Sequence, residues 1–299
     1  MAEIKGKILV TGAAGQIGSD LVPALKKKFG NEKVIGVDLI DFDATNKEKL
    51  EKCIKDNNVE TVYHLVSLLS VKAEQDPDSA WNVNLLGLKT LLDLAILYKL
   101  KIFWPSSIAV FGPTTPRENT PQQTPLEPTT MYGLTKVAGE LLGQYYFMKS
   151  GVDFRSVRFP GLLSWKTIPG GGTTDYACAI FESVRKNDVF ECYLKPDTEL
   201  PMMYMSDAID AILKIMDADS EKLKIRTSYN LAAFSFTPEQ LVQEIRKLTA
   251  IKIIYKPDNR QRIADSWPKS IDDNRAKKDW GWDPKINFPK MVQIMYEHG

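Results

Sequence analysis

The chain has 299 residues, enough to bury a full core as one large domain or two lobes. Its 39 lysines and arginines nearly balance 38 acids for a net charge of +1, which gives no reason to expect a nucleic-acid or membrane-surface partner. Three widely spaced cysteines, Cys53, Cys178 and Cys192, suit a reducing compartment, and with only two histidines, His64 and His298, no cluster has zinc-site spacing, so no metal is expected. The N-terminus carries no apolar export segment and no arginine-rich presequence, and no run of about 18 apolar residues follows, so the expected location is the cytoplasm with nothing spanning a bilayer.

Ile8-Leu9-Val10 is a short apolar run of the kind that makes a strand buried on both faces. It leads into Thr11-Gly-Ala-Ala-Gly-Gln-Ile-Gly18 and an amphipathic helix through about Phe29. Gly12 permits the tight turn, Gly15 lets backbone approach a pyrophosphate, and Gly18 lets helix pack on strand. The helix start at Gln16 and Ile17 then offers N–H groups and a positive dipole end to phosphates. A second strand, Lys33 to Asp38, ends in an acid 38 − 18 = 20 residues beyond Gly18. A carboxylate there accepts hydrogen bonds from an adenosine ribose and repels a 2′-phosphate, so the cofactor reads as NAD rather than NADP. The plain alternative is a solvated strand-end acid. Asp43 is placed to reach the adenine amino group.

The alternation continues with a helix over Lys47 to Lys55, a strand over Thr61 to Val66, a long helix over Ser79 to Tyr98 that contains Asn84, and a strand over Ile102 to Ser107. Strands alternating with helices predict a parallel sheet wrapped on both faces, with ligands beyond the carboxyl ends of its strands. Ser67, Ser70, Ser106 and Ser107 all fall there. His64 reads as a packed or cofactor-adjacent histidine rather than a catalyst. The stretch from Pro113 to Thr130, rich in proline and polar residues, is an irregular loop. It delivers the chain to a helix from Met131 to about Lys149. On that helix Tyr132 and Lys136 share one face a turn apart. A phenol's pKa near 10 is too high for a base at neutral pH, and a neighbouring ammonium, helped by a cationic cofactor ring, favours its phenolate. Tyr145 and Lys149 repeat the spacing, so the pair alone is a weak signal. Ser107 upstream and the glycine turn give Tyr132 its context.

Val152 to Arg158 reads as a strand, followed by Phe159-Pro160-Gly161, a turn that presses backbone against a nicotinamide. A glycine run, 169–175, precedes a helix over Tyr176 to Lys186. Gly172 and Thr174 are read either as holding a ligand carboxylate at that helix start or as an ordinary capped loop. Leu200 to Met205 is core-forming with three methionines, and Ala208 to Met216 is helical. Tyr229-Asn230-Leu231 looks like a return strand of the main sheet, and Thr237 caps a helix to Leu248. Asp272-Asp273, Trp280-Gly-Trp282 and a final helix follow. The expected architecture is α/β, a doubly wound parallel Rossmann sheet with a smaller C-terminal substrate-binding lobe. The sheet domain spans 1–165 with a return at about 205–235, and the lobe takes 166–204 and 236–299.

Together Thr11-Gly-Ala-Ala-Gly-Gln-Ile-Gly18, Asp38, Asn84, Pro105-Ser-Ser107, Tyr132-x-x-x-Lys136 and Arg158-Phe-Pro-Gly161 resemble the extended short-chain dehydrogenase/reductase family across essentially the whole chain. Ser107 precedes Tyr132 by 132 − 107 = 25 positions, a spacing similar to the family's serine–tyrosine pair. The resemblance implies an NAD-dependent oxidation with Ser107, Tyr132 and Lys136 as catalytic residues. It adds Leu65, Asn84 and Phe159 to the cofactor contacts. Within the family, Ser67-Leu-Leu-Ser70, Ser106 to Pro113, Gly170 to Ala177, Leu200 to Met205 and Ile263-Ala-Asp-Ser-Trp-Pro268 point to L-threonine as substrate, oxidised at its β-hydroxyl to 2-amino-3-oxobutyrate in threonine catabolism. Ser70, Ser106, Gly172 and Thr174 are then expected to contact it, with Trp267 closing over it. Serine stands at 107 where relatives of that kind often carry threonine, and either hydroxyl can donate.

The alternative reading is a nucleotide-sugar 4-epimerase or dehydratase on the same scaffold, for which Arg185, Arg260 and Arg262 are the available cations. A non-catalytic NAD-binding regulator is disfavoured by the intact Ser107, Tyr132 and Lys136. The family also implies a homodimer through the helices of 79–98 and 132–149, with Leu85, Leu88, Leu92, Leu141 and Tyr145 serving either that surface or the sheet-facing core.

Overall fold

The computed structural model describes residues 5–40, 43–166 and 170–298. Pro169, the first residue of the expected glycine run, lies outside them. The chain opens with β1 (Lys7–Thr11), α1 (Gly18–Phe29), β2 (Val34–Val37), α2 (Lys47–Asp56), β3 (Val59–His64), α3 (Ser70–Gln75) and α4 (Pro77–Trp81). A π-helical turn, Asn82–Leu86, joins α4 to α5 (Gly87–Tyr98), which is followed by β4 (Lys101–Ser107), α6 (Met131–Ser150), β5 (Asp153–Phe159) and β6 (Gly161–Leu163). Then come α7 (Tyr176–Lys186), β7 (Val189–Cys192), β8 (Leu200–Tyr204), α8 (Met205–Asp217), β9 (Tyr229–Asn230) and β10 (Phe234–Phe236). The chain ends with α9 (Pro238–Arg246), β11 (Lys252–Tyr255), α10 (Asn259–Asp265), α11 (Asn274–Trp280) and α12 (Phe288–His298).

The main sheet has six parallel strands in the order β2-β1-β3-β4-β5-β9. Its connections run one way from β1 to β2 and the other way from β3 onward, so a crevice opens at the carboxyl ends of β1 and β3. Both faces are covered. Leu9, Val62, Ile102 and Trp104 pack with Leu88, Leu91 and Leu92 of α5 and Phe154 of β5, whereas Ile8, Val10, Phe103 and Val157 pack with α1 and α8. Each such aliphatic side chain contributes roughly 1.5–3 kcal/mol by leaving water.

A three-stranded sheet, β10-β8-β6, and a two-stranded one, β11-β7, build the second layer with α7, α9 and α12 around Tyr176, Phe181, Phe236 and Met291. The C-terminal stretch is divided between the two cores. Ala276 and Trp282 join the cluster beneath the main sheet, and so do Met203 and Met205, whereas Met202 stays in that of the second layer.

Of the two roles left open for the leucines, Leu85, Leu88 and Leu92 take the core, while Leu141 and Tyr145 are 56% and 52% exposed. Pro77–Tyr98 is also one continuous helical stretch, long and apolar enough to cross a bilayer, although no 18-residue run of apolar letters marks it. Half of it is buried, on the sheet and against α6.

Candidate active site

The glycine turn answers to steric need. Gly12 sits at φ 74°, where a side chain is strained, and a Cβ at Gly18 would strike the carbonyl of Gly12. No side chain caps α1 at Ile17, which leaves its first turn open to an anion. Gln16 reaches across to donate to the Leu162 carbonyl at 3.2 Å, tying this turn to β6. Asp38 accepts from the amides of Ala14 and Leu39, both at 2.9 Å, which holds its carboxylate at the strand end. Asp43 accepts from the amide and hydroxyl of Thr45. Gly12, Gly15, Asp38, Asp43 and Leu65 line one cavity of about 380 Å³. Its glycine cradle and flanking carboxylates suit a dinucleotide's pyrophosphate and adenosine.

A second cavity of about 140 Å³ shares Leu65 and Ser67 with the first. It gathers Gln16, Ile17, Ser70, Ser106, Ser107, Tyr132, Lys136, Phe159, Gly172, Thr174 and Trp267, residues spread over 252 positions (267 − 16 + 1) of the chain. A wider open groove of about 1000 Å³, between the end of α8 and α11, interleaves lysines with acids and contains none of the expected site residues.

Local sequence explains how Tyr132 is aimed. Thr130 caps α6 by accepting from the Gly133 amide at 3.1 Å. Gly133 has no side chain because a Cβ would strike the Ala109 carbonyl, so the first turn of α6 presses onto the short 3₁₀ turn that follows Ser107. Ser107 caps that 3₁₀ turn, accepting from Ala109 N at 3.2 Å, and lines the same cavity as Tyr132. Burial pushes that phenol up to about 12, against which Ser107 pulls it down. Lys136 is 1% exposed. Its ammonium donates to the Pro105 carbonyl at 2.7 Å and stands 4.3 Å over the Trp104 ring. Burial lowers it to about 7, with the charge of Glu140 opposing. In the chain alone the phenol is therefore protonated at neutral pH. Burial acts on both partners, so the phenolate expected from Lys136 together with a cationic cofactor ring leans on that ring.

Asn84 lines neither cavity. Its amide oxygen accepts from Leu68 N at 2.7 Å and Ser67 Oγ at 3.2 Å, and its nitrogen donates to the Leu68 carbonyl at 3.0 Å and Thr135 Oγ1 at 3.3 Å. These bonds make Asn84 a brace between the loop after β3 and α6. Gly18 likewise acts through packing. The amides of Gly171 and Gly172 donate to Asp175 Oδ2 at 2.9 and 2.7 Å, closing the glycine run on its own acid. Burial raises the Asp175 carboxyl, and these two amides oppose it. His64 is buried, with Nδ1 2.8 Å from Thr11 Oγ1 and Nε2 without a partner; burial and the Lys136 charge lower it to about 4.

Three features were missed in the sequence. Thr173 lines the smaller cavity with a buried hydroxyl that has no partner, although attention went to Thr174. Helix α3 places Ser70 at its start. Glu140 forms a buried pair with Arg158 behind the wall. Only the last had a signal, an acid four residues after Lys136 on the same face.

The family model for the NAD dependent epimerase/dehydratase family matches residues 8–232. An uncharacterized epimerase/dehydratase of Staphylococcus haemolyticus is 47% identical over 97% of this chain and 96% of its own length. The holo form of a GalE-like L-threonine dehydrogenase from Cupriavidus necator is 46% identical with a TM-score of 0.95, covering 97% of this chain and 99% of that one. A monomeric L-threonine 3-dehydrogenase from a metagenome, in its apo form, is 45% identical with a TM-score of 0.94, covering 97% of each chain. The extent of these matches, together with the glycine cradle and the parallel sheet, shows that the chain belongs to the NAD dependent epimerase/dehydratase family, with NAD as its cofactor.

Proposed function

We propose that this protein oxidises the β-hydroxyl of L-threonine to 2-amino-3-oxobutyrate with NAD, as a step of threonine catabolism. One observation carries the reading. The space beside Ser107 and Tyr132 is about 140 Å³, and among the described residues Lys136 is the one cation on its wall. Pockets for larger ligands run to roughly 300–1,000 Å³, and a sugar diphosphate also needs cations for its phosphates. Arg185, Arg260 and Arg262 do not line the cavity. A small zwitterion fits its hydroxyls, from Ser70, Ser106, Thr173 and Thr174, far better. The named activity of similar solved structures supports the same substrate.

Gly12, Gly15 and the start of α1 would hold the pyrophosphate, Asp38 the adenosine ribose and Asp43 the adenine. Tyr132 and Lys136 would hold the second ribose, with Phe159 beside the nicotinamide. When bound, NAD supplies the acceptor for the hydride from the β-carbon. Ser107 orients the substrate hydroxyl, and Tyr132 receives its proton as the carbonyl forms. The Lys136 ammonium and the cofactor's positive ring lower the phenol from about 12 toward a working base. The test is a cofactor-linked assay across L-threonine, L-serine, 3-hydroxybutyrate and a nucleotide sugar. NADH is expected with threonine; turnover of another hydroxy acid with none of threonine retires the reading.

We also propose that the protein forms a homodimer. Leu134, Leu141, Tyr145 and Met148 make an exposed apolar stripe on α6 beside Trp81 and Leu86. Covering so large an apolar patch with a second copy removes it from water.

A further inference from the structure

Behind the wall of the smaller cavity lie three ionisable side chains almost without solvent contact, Lys136, Glu140 and Arg158, at 1%, 0% and 3% exposure. Arg158 grips Glu140 with both arms, Nε to Oε1 at 2.9 Å and Nη2 to Oε2 at 2.7 Å. Its Nη1 donates to Asn230 Oδ1 at 3.0 Å and the Gln122 carbonyl at 3.2 Å. Ser106 donates its hydroxyl proton to Glu140 Oε1 at 2.6 Å. Three donors converge on one acid, the pattern an acceptor-only carboxylate satisfies.

The guanidinium keeps its charge whatever its surroundings. With Glu140 the compartment carries one net positive charge; without it two cations would share a space closed to water. Burial alone disfavours an ammonium there. Among the described residues, the direct partners of Lys136 are a carbonyl and the faces of Trp104 and Tyr132, none of which bears a full negative charge. Glu140, one turn along α6, is the carboxylate that opposes burial. The remaining groups facing Lys136 are Tyr132 on α6 and His64 on β3, whose ring is held neutral at neutral pH, while Arg158 on β5 lies beyond them on Glu140. Strand β4 supplies Trp104, Pro105, Ser106 and Ser107 and no charge.

We propose that Glu140 is a positioning residue of this site: it keeps Lys136 an ammonium within a dry wall and fixes the Ser106 hydroxyl, while itself touching neither cofactor nor substrate. Ser106 then turns lone pairs, not a proton, toward the cavity, which suits an ammonium or hydroxyl donor on the ligand.

The inference rests on the proposed dehydrogenation only for its kinetic arm, and the charge of Lys136 can be read without turnover. Spectra of ε-¹³C-labelled lysine, with Lys136 assigned by its disappearance in Lys136→Met, follow its titration directly. Glu140→Gln and Arg158→Gln delete opposite charges from one ion pair. The Lys136 midpoint is expected to fall by about one pH unit or more in the first and to rise in the second. Glu140→Asp should keep the wild-type midpoint. In the kinetics, Glu140→Gln should lose roughly 10- to 100-fold in kcat with KM for NAD unchanged, and the alkaline limb of its pH profile should move down. Midpoints that stay put, or that move the same way in both charge deletions, overturn the proposal even if kcat falls. If Glu140→Gln does not fold, the rise or its absence in Arg158→Gln decides. A wild-type protein that ignores threonine sinks the functional reading alone and leaves the lysine spectra to judge this one.

Discussion

Helix α6 carries the same four-residue pattern at both ends, and the two ends have different fates. At its start Tyr132 faces a cavity with Ser107, and Lys136 is buried under Trp104. Near its end Tyr145 is half exposed and Lys149 is in solvent. The rotation of about 100° per residue sets the two pairs on nearly opposite sides, but it does not say which side meets the sheet. That choice comes from Gly139 and Gly143. A Cβ at Gly139 would crowd Trp104, and one at Gly143 would strike the Phe154 ring, so the glycine face packs on the sheet and carries the first pair inward. Identical spacing becomes chemistry at one end and surface at the other.

The sharpest way to break this contrast is to remove one oxygen from each end. Tyr132→Phe is expected to lower kcat by roughly 10² to 10⁴ while cofactor titration shows NAD still bound. Tyr145→Phe should keep kcat within about twofold, as exposed substitutions do. Near-normal turnover in Tyr132→Phe would put the base elsewhere and dissolve the comparison.

A smaller effect tests how dry the buried end is. His64 is near 6.5 unfolded and about 4 folded, so the unfolded chain takes a proton that the folded chain refuses. Stability is therefore unaffected above about pH 6.5 and falls as pH drops from there toward 4, by roughly 3 kcal/mol in the limit. Melting temperatures across that window should show the slope, and His64→Gln should flatten it. An unchanged slope would assign the acid loss to other groups.

The smallest expected effect on chemistry comes from the exposed end. Leu141→Glu combined with Tyr145→Glu should convert a dimer to a monomer in light scattering and leave the midpoint of Lys136 in place. A wild-type protein that is already monomeric at micromolar concentration removes the pairing proposal.

The element order was largely legible, because apolar runs, glycine turns and helical periodicity are local signals. The return strand at Tyr229–Asn230 is an instance: two residues sufficed, and they pair in parallel with Val157 and Arg158. The cradle was legible for the same reason. Asn84 was not, since its letter is equally suited to a ligand or a brace, and only the positions of Leu68 and Thr135 distinguish the two. For the glycine run the letters left a ligand cradle and a capped loop both open, and folding turned Asp175 back on two of its amides. Leu88 and Leu92 look the same in a list as Leu141, yet one set faces a sheet and the other solvent.

By itself the chain's order of residues determined a strand–glycine turn–helix for a dinucleotide, a serine 25 positions ahead of a tyrosine, and a lysine one turn beyond that tyrosine (132 − 107 = 25). These rest on short-range sterics and helical geometry, which travel with the sequence. Tertiary structure decided how strongly burial acts on that tyrosine and lysine, and how closely an acid already signalled by its spacing comes to counter it. Those depend on distance from water and on charges brought close by folding, and neither quantity is written in the spacing of letters.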